Sequence, residues 1–172
     1  MGILRRKRGD DDVEPRRYRM RAKLVSIGDD FWIEDNEGTR VYRVNGKALR
    51  LRDTFVLEDV SGHEVAKIKE RKLSVRDKVS IERDGERVAT VHKALVGIRD
   101  RFAIDVDDGP DLKAHGNIVD HEYEIRRDGD TIAHISKRWF RVRDTYGIEI
   151  APDEDEALLL ATVVALEQLT DE

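Results

Sequence analysis

Residues 153–169, DEDEALLLATVVALEQL, restrict the possible folds of this chain more than any other stretch. Between Ala157 and Leu166 no residue is more polar than Thr162. A helix lying on a protein surface carries one apolar stripe and one charged face. This one is apolar all the way round, so something must surround it. Its apolar part is only about 15 Å long at the rise of an α-helix, whereas a bilayer core needs roughly 20 apolar residues. Enclosure by the rest of the chain is therefore favoured over insertion into a membrane. Asp153 is the expected N-cap, with Glu156 completing a capping box. The acids at this end suit the positive pole of the helix dipole and mark it as the wet end.

The remaining residues can build that enclosure from strands. Residues 38–58 read GTRVYRVNGKALRLRDTFVLE and 62–82 read GHEVAKIKERKLSVRDKVSIE. The pattern recurs as GERVATVHKALVGIRDRFAID over 85–105 and GDTIAHISKRWFRVRDTYGIE over 129–149. Each copy is a turn glycine, a short strand, a connection, an Arg-Asp pair and a second strand, the mark of a repeated supersecondary unit. Apolar and charged residues alternate within it, as in Leu73/Val75/Val79/Ile81 and Phe140/Val142/Tyr146/Ile148/Ile150. Period two is the strand signal, and one apolar face implies an antiparallel sheet of hairpins. A shorter hairpin around Asn117–Asp120 and an N-terminal one around Gly28-Asp29-Asp30 bring the total to roughly twelve strands. Such a sheet cannot lie open in water and must close. A barrel that wide is hollow unless filled, and an apolar helix with a diameter of roughly 10–12 Å fills it. The expected fold is thus mainly β: a closed antiparallel barrel of about twelve strands, built from hairpin repeats around a buried C-terminal helix at about 153–169. Residues 1–17, with a basic cluster, three aspartates and a proline, read as a disordered charged tail, and residues 18–172 as the barrel domain.

The run YRMRAKLVSIGDDFWIED, the repeated Arg-Asp hairpins, GNIVDHEYEI and the closing YGIEIAPDEDEALLLATVVALEQL resemble the LURP-one-related family. That family belongs to the Tubby C-terminal-domain-like superfamily, together with phospholipid scramblases. The resemblance spans about residues 18–169 and implies a twelve-stranded barrel around a central helix, in agreement with the pattern. Plant members are linked to defence responses, and most prokaryotic members have no assigned activity.

The chain carries 32 basic and 37 acidic residues, a formal net charge of −5, which argues against a general nucleic-acid binder. Without cysteine there is no disulfide scaffold and no thiolate metal site. The N-terminus lacks the apolar run of a signal peptide, and Arg6 stands where an acylation signal after Met1-Gly2 needs Ser or Thr, so a cytoplasmic setting is expected. His63, His92, His115, His121 and His134 show no metal-ligand spacing, and HEVAK and HEYEI lack the second histidine of a zincin motif. Gly-rich phosphate loops and GxSxG elbows are missing. A binding module without cofactor or metal is therefore expected rather than an enzyme.

Alternation places Asp53, Asp77, Asp100 and Asp144 of the Arg-Asp pairs on the apolar face, where a lone carboxylate is costly. A repeated bend with Asp accepting backbone N–H bonds is favoured over a cation-binding ring. Basic residues gather in the expected connections at Lys67, Lys69 and Lys72, at Lys93, and at Lys137 and Arg138 beside Trp139. Tubby-type domains bind phosphoinositides through basic residues, so the resemblance implies an anionic phospholipid headgroup site formed by these six. A protein partner is the other expectation for a binding module. A scramblase-like membrane-active protein, with the helix as anchor, is the alternative.

Overall fold

The computed structural model describes residues 6–8, 11–21, 30–46, 54–71, 78–94, 101–139 and 145–170. Twelve antiparallel strands form one closed barrel. In chain order they are β3 (Arg16–Arg21), β4 (Phe31–Asp35), β5 (Arg40–Asn45), β6 (Thr54–Asp59), β7 (Glu64–Arg71) and β8 (Lys78–Arg83). There follow β9 (Glu86–Lys93), β10 (Arg101–Val106), β11 (Leu112–Asn117), β12 (Glu122–Arg127), β13 (Asp130–Ser136) and β14 (Thr145–Ile150). Each strand pairs with the next, and β14 closes on β3 with Ile148 opposite Tyr18. The expected barrel is the observed one. Two short strands, β1 (Arg6–Arg8) and β2 (Asp11–Val13), form a separate hairpin where a disordered tail was expected. Its register sets Lys7 opposite Asp12 and Arg8 opposite Asp11.

The repeat has a structural cause. Gly38, Gly62, Gly85 and Gly129 all have positive φ, between 82° and 89°, and end the turns that start β5, β7, β9 and β13. Asp84-Gly85 and Asp128-Gly129 have positive φ at both positions, the two-residue turn that matches strand twist. Three residues after each glycine stands Val41, Val65, Val88 or Ile132, and at each of these the ladder shifts by one residue. Such a bulge bends the strand and raises its twist. These four bulges, each three residues past its turn glycine, are spread round the barrel and curve its wall, and the one on β13 lets Ile132 and Ala133 both face the core. The Arg-Asp pairs, and the bend expected there, lie outside the described residues.

The inner face follows the alternation: Phe55/Leu57, Val79/Ile81, Phe102/Ile104 and Tyr146/Ile148/Ile150 are all buried. The helix α1 (Glu156–Thr170) threads this space, with Leu159 to Glu167 buried without a break. Thr162 donates its hydroxyl to the Leu158 carbonyl at 2.8 Å, so the polar group within the apolar run is satisfied by the helix itself. α1 lies nearest β7, β8 and β9. Ala66 and Ala89 face inward there and let it approach, whereas Met20, Tyr123 and Tyr146 fill the wider gap opposite. A core this closely packed responds to the loss of single methylene groups.

The helix begins at Glu156, with its cap two residues later than expected. Asp155, not Asp153, is the N-cap, accepting the Leu158 N–H at 3.1 Å. Asp153 instead takes a left-handed turn at φ 64°, which swings the chain from β14 into the barrel. Nor is this end simply wet. Glu154 is buried and held by Arg127 at 2.5 Å, and its carbonyl accepts Arg16 at 2.6 Å. Arg83 holds both oxygens of Asp155, at 2.5 and 2.9 Å. Glu156 accepts the Tyr18 hydroxyl and pairs with Arg16 at 3.2 Å. Burial and the Glu156 carboxylate push the Tyr42 hydroxyl up to about 12.

Burial alone would raise Asp155, but Arg83 and the Leu158 N–H outweigh it and hold the carboxyl below its ordinary 3.8. A depressed folded-state value stabilises above the ordinary value, and that stabilisation is lost as pH falls through the folded one. Asp155→Asn keeps a capping oxygen but no charge. At neutral pH it should cost no more than about 1 kcal/mol for this half-exposed pair, a Tm drop of roughly 2–4 °C in a chain of this size. The gap between variant and parent should close as thermal melts are repeated at progressively lower pH.

Candidate anion-binding surface

All the short turns that carry the repeat glycines lie at one end of the barrel, where α1 enters. The opposite end, where α1 stops, carries the β11–β12 turn at 118–121 and the 3-10 turn Lys137–Trp139 that follows β13. Here the helix is fixed by Glu167, which pairs with His121; both side chains are almost wholly buried. The His121 ring also packs on Tyr146, with centroids 4.4 Å apart. Burial and the Glu167 charge raise the Tyr123 hydroxyl well above its usual range. This buried cluster ties the end of the helix to the β11–β12 turn. Neither His121 nor Glu167 stood out in the sequence, because a lone acid near a helix end and a turn histidine carry no pattern.

The six predicted basic residues separate. Lys67 and Lys69 lie within β7, on its outer face, rather than in a connection. Lys67 is 3.2 Å from Glu64 and Lys69 is 2.7 Å from Glu82, so both are neutralised locally. The wall repeats this arrangement: Arg17 meets Glu149 at 2.8 Å, Arg19 meets Glu34 and Arg43 meets Glu58. Lys72 lies outside the described residues. Lys93 is exposed at the loop end of β9. Lys137 and Arg138 stand six strands round the barrel from β7, on its far side.

Lys137 and Arg138 differ from the wall cations. Glu122 accepts the Ser136 hydroxyl at 2.9 Å and the Lys137 backbone N–H at 3.1 Å, and Ser136 accepts the Arg138 N–H at 3.1 Å. These bonds fix the 3-10 turn through its backbone and leave its side chains outward. The Arg138 side chain is 85% exposed, with Glu122 a loose 3.8 Å away. The Lys137 ammonium has no ion-pair partner among the described residues. Trp139 packs its ring edge-on against His134 at 5.0 Å, yet stays 37% exposed. Val119, 59% exposed, leaves the same end of the β12–β13 pair. Two cations, an indole and a valine thus share one corner. Val119 was missed in the sequence because Ile118, its neighbour, is the buried member of that turn.

Known proteins bear on this architecture. The LURP-one-related family profile matches residues 16–167, nearly all of the chain. The chain belongs to the LURP-one-related family. An Arabidopsis thaliana protein whose X-ray structure is known superposes with a TM-score of 0.68 at 19% identity, covering 90% of this chain and 91% of that one. At that identity the likeness speaks for the fold of this LURP-one-related barrel and not for a ligand. No curated protein matches the sequence.

Glu122 accepts from two donors, the Ser136 hydroxyl and the Lys137 N–H, so its loss should free the corner. Glu122→Ala should destabilise by about 1–2 kcal/mol, the usual cost of orphaning part-buried hydrogen-bond donors. In a Trp32→Phe background, which leaves Trp139 as the fluorophore, the emission should shift to the red and acrylamide quenching should rise.

Proposed function

We propose that the protein is a non-catalytic module that docks on an anionic membrane surface through the Lys137–Arg138–Trp139 corner. The observation that carries this reading is the contrast in charge pairing. Wall cations such as Lys69 and Arg43 stand against glutamates, while Lys137 and Arg138 project beside an exposed indole and Val119. An indole with one apolar face and one polar edge suits the headgroup level of a bilayer. Each adjacent Lys or Arg adds about 1 kcal/mol of attraction to anionic lipid. The cytoplasmic leaflet, where such lipid concentrates, is the proposed site of action. With a net charge of −5 the whole chain is repelled, so binding depends on this corner and weakens with salt.

Two features support docking over the scramblase-like alternative. The helix that would serve as an anchor is enclosed by the barrel. Among the described residues no helix is long and apolar enough to cross a membrane.

Flotation with phosphatidylserine-containing vesicles tests the proposal. The protein should float with them but not with pure phosphatidylcholine, and Lys137→Glu/Arg138→Glu and Trp139→Ala should each abolish flotation. Lys67→Glu/Lys69→Glu, on the neutralised wall, should float like the parent. Flotation that is missing in the parent, or equal in all variants, ends the reading.

A further inference from the structure

A second surface lies elsewhere on the barrel, on the outer face of β10, β11 and β12. A groove of about 920 Å³ opens there. Its floor is low because Ala94 and Ala103 are small, and Arg101, Lys113, His115 and Arg126 rim it. The register makes this arrangement unusual. Lys113 stands directly opposite Arg126, and Arg101 directly opposite His115. For Lys113 and Arg126 these are like charges, which destabilise a sheet when they face across a strand pair, whereas Arg17, Arg19 and Arg43 each face a glutamate.

The cations are not equally free. Arg126 is positioned, and its charge partly offset, by Glu124 at 2.7 and 2.9 Å. Arg101 and Lys113 are exposed and have no ion-pair partner among the described residues. Asp111 and Asp128 line the groove at its turn end, and Glu124 stands behind Arg126, opposite His115. One Asp111 oxygen already accepts the Val106 N–H at 3.0 Å.

The two basic pairs lie at different levels along the strands. Lys113 and His115 are two residues apart on β11, so the levels are about 7 Å apart. That is also the spacing of alternate side chains along an extended chain. One compact anion cannot span both levels; an extended segment with acidic residues at alternate positions reaches both. Because the barrel is closed, its wall offers no free strand edge among the described residues, and recognition there must run through side chains.

We propose that this groove is a docking surface for an extended acidic segment of a partner protein, its alternate carboxylates meeting the Arg101–His115 and Lys113–Arg126 levels. It is independent of the membrane corner, which follows β13 at the loop end.

Fluorescence anisotropy with the full chain tests this, using two labelled peptides of equal composition. One alternates, Gly-Ser-Glu-Ser-Glu-Ser-Gly; the other sets its two acids side by side, Gly-Ser-Glu-Glu-Ser-Ser-Gly. The alternating peptide should bind at least tenfold tighter, and more weakly as salt rises. Arg101→Glu and Lys113→Glu should each reduce its affinity at least tenfold, and Lys137→Glu/Arg138→Glu should not. Lys113→Glu relieves a like-charge pair, so its Tm should equal or exceed that of the parent, which separates lost binding from lost folding. Three results would each overturn the proposal: no binding of the alternating peptide, equal binding of the two isomers, or displacement by inorganic pyrophosphate at lower concentration than by unlabelled peptide. The last would assign the groove to a small phosphate instead.

Discussion

The structure depends on the burial of one helix that is apolar on every side. Water penalises both partners when they are apart: the helix would expose Leu159, Leu160, Val163 and Leu166, and the sheet its whole inner face. Neither has another way to hide that surface. The helix has no polar face to turn outward, and a sheet of twelve strands is too wide to fill its interior with its own side chains. Their association also explains the uneven wall. Ala66 and Ala89 leave room where α1 lies close, and large side chains fill the far side, Tyr123 and Tyr146 among them.

The ends of the barrel are built on different principles. At the entry end, arginines from β3, β8 and β12 converge on three consecutive acids, Glu154, Asp155 and Glu156, so the chain is gripped as it enters. At the exit end, a buried histidine and glutamate hold the helix, and nearby side chains face outward. Partners are therefore sought at the exit end and on the outer wall, not in the interior. On that wall Arg17, Arg19 and Arg43 are each neutralised by a glutamate across the strand, and Arg101 and Lys113, which have no ion-pair partner among the described residues, stand out against this background.

Much of the fold was legible in the sequence because it rests on periodic features. Alternation is local, so Val79/Ile81 and Ile148/Ile150 could be assigned to the core from their neighbours alone. The repeat also encoded the bulges: Val41, Val65, Val88 and Ile132 each follow a turn glycine by three residues. The N-cap was misplaced because DEDE offers several equivalent acids, and the choice of Asp155 is made by Arg83, which is 72 residues away in the chain. The surface was far less legible. Lys69 and Lys137 look alike in sequence, and only the folded strands show that one reaches Glu82 diagonally on the next strand and the other faces solvent. The groove was invisible for the same reason, since Lys113 and Arg126 become neighbours only when β11 pairs with β12.

The central claim is that the helix is the core of the barrel and not an appendage to it. The most direct measurement is the amide spectrum of a chain ending at Pro152, recorded alone and then with a peptide of residues 153–172 added. The account predicts that the shortened chain is insoluble or gives collapsed amide dispersion, and that the peptide restores dispersed, native-like signals. A soluble shortened chain whose strand signals match those of the full protein would contradict it.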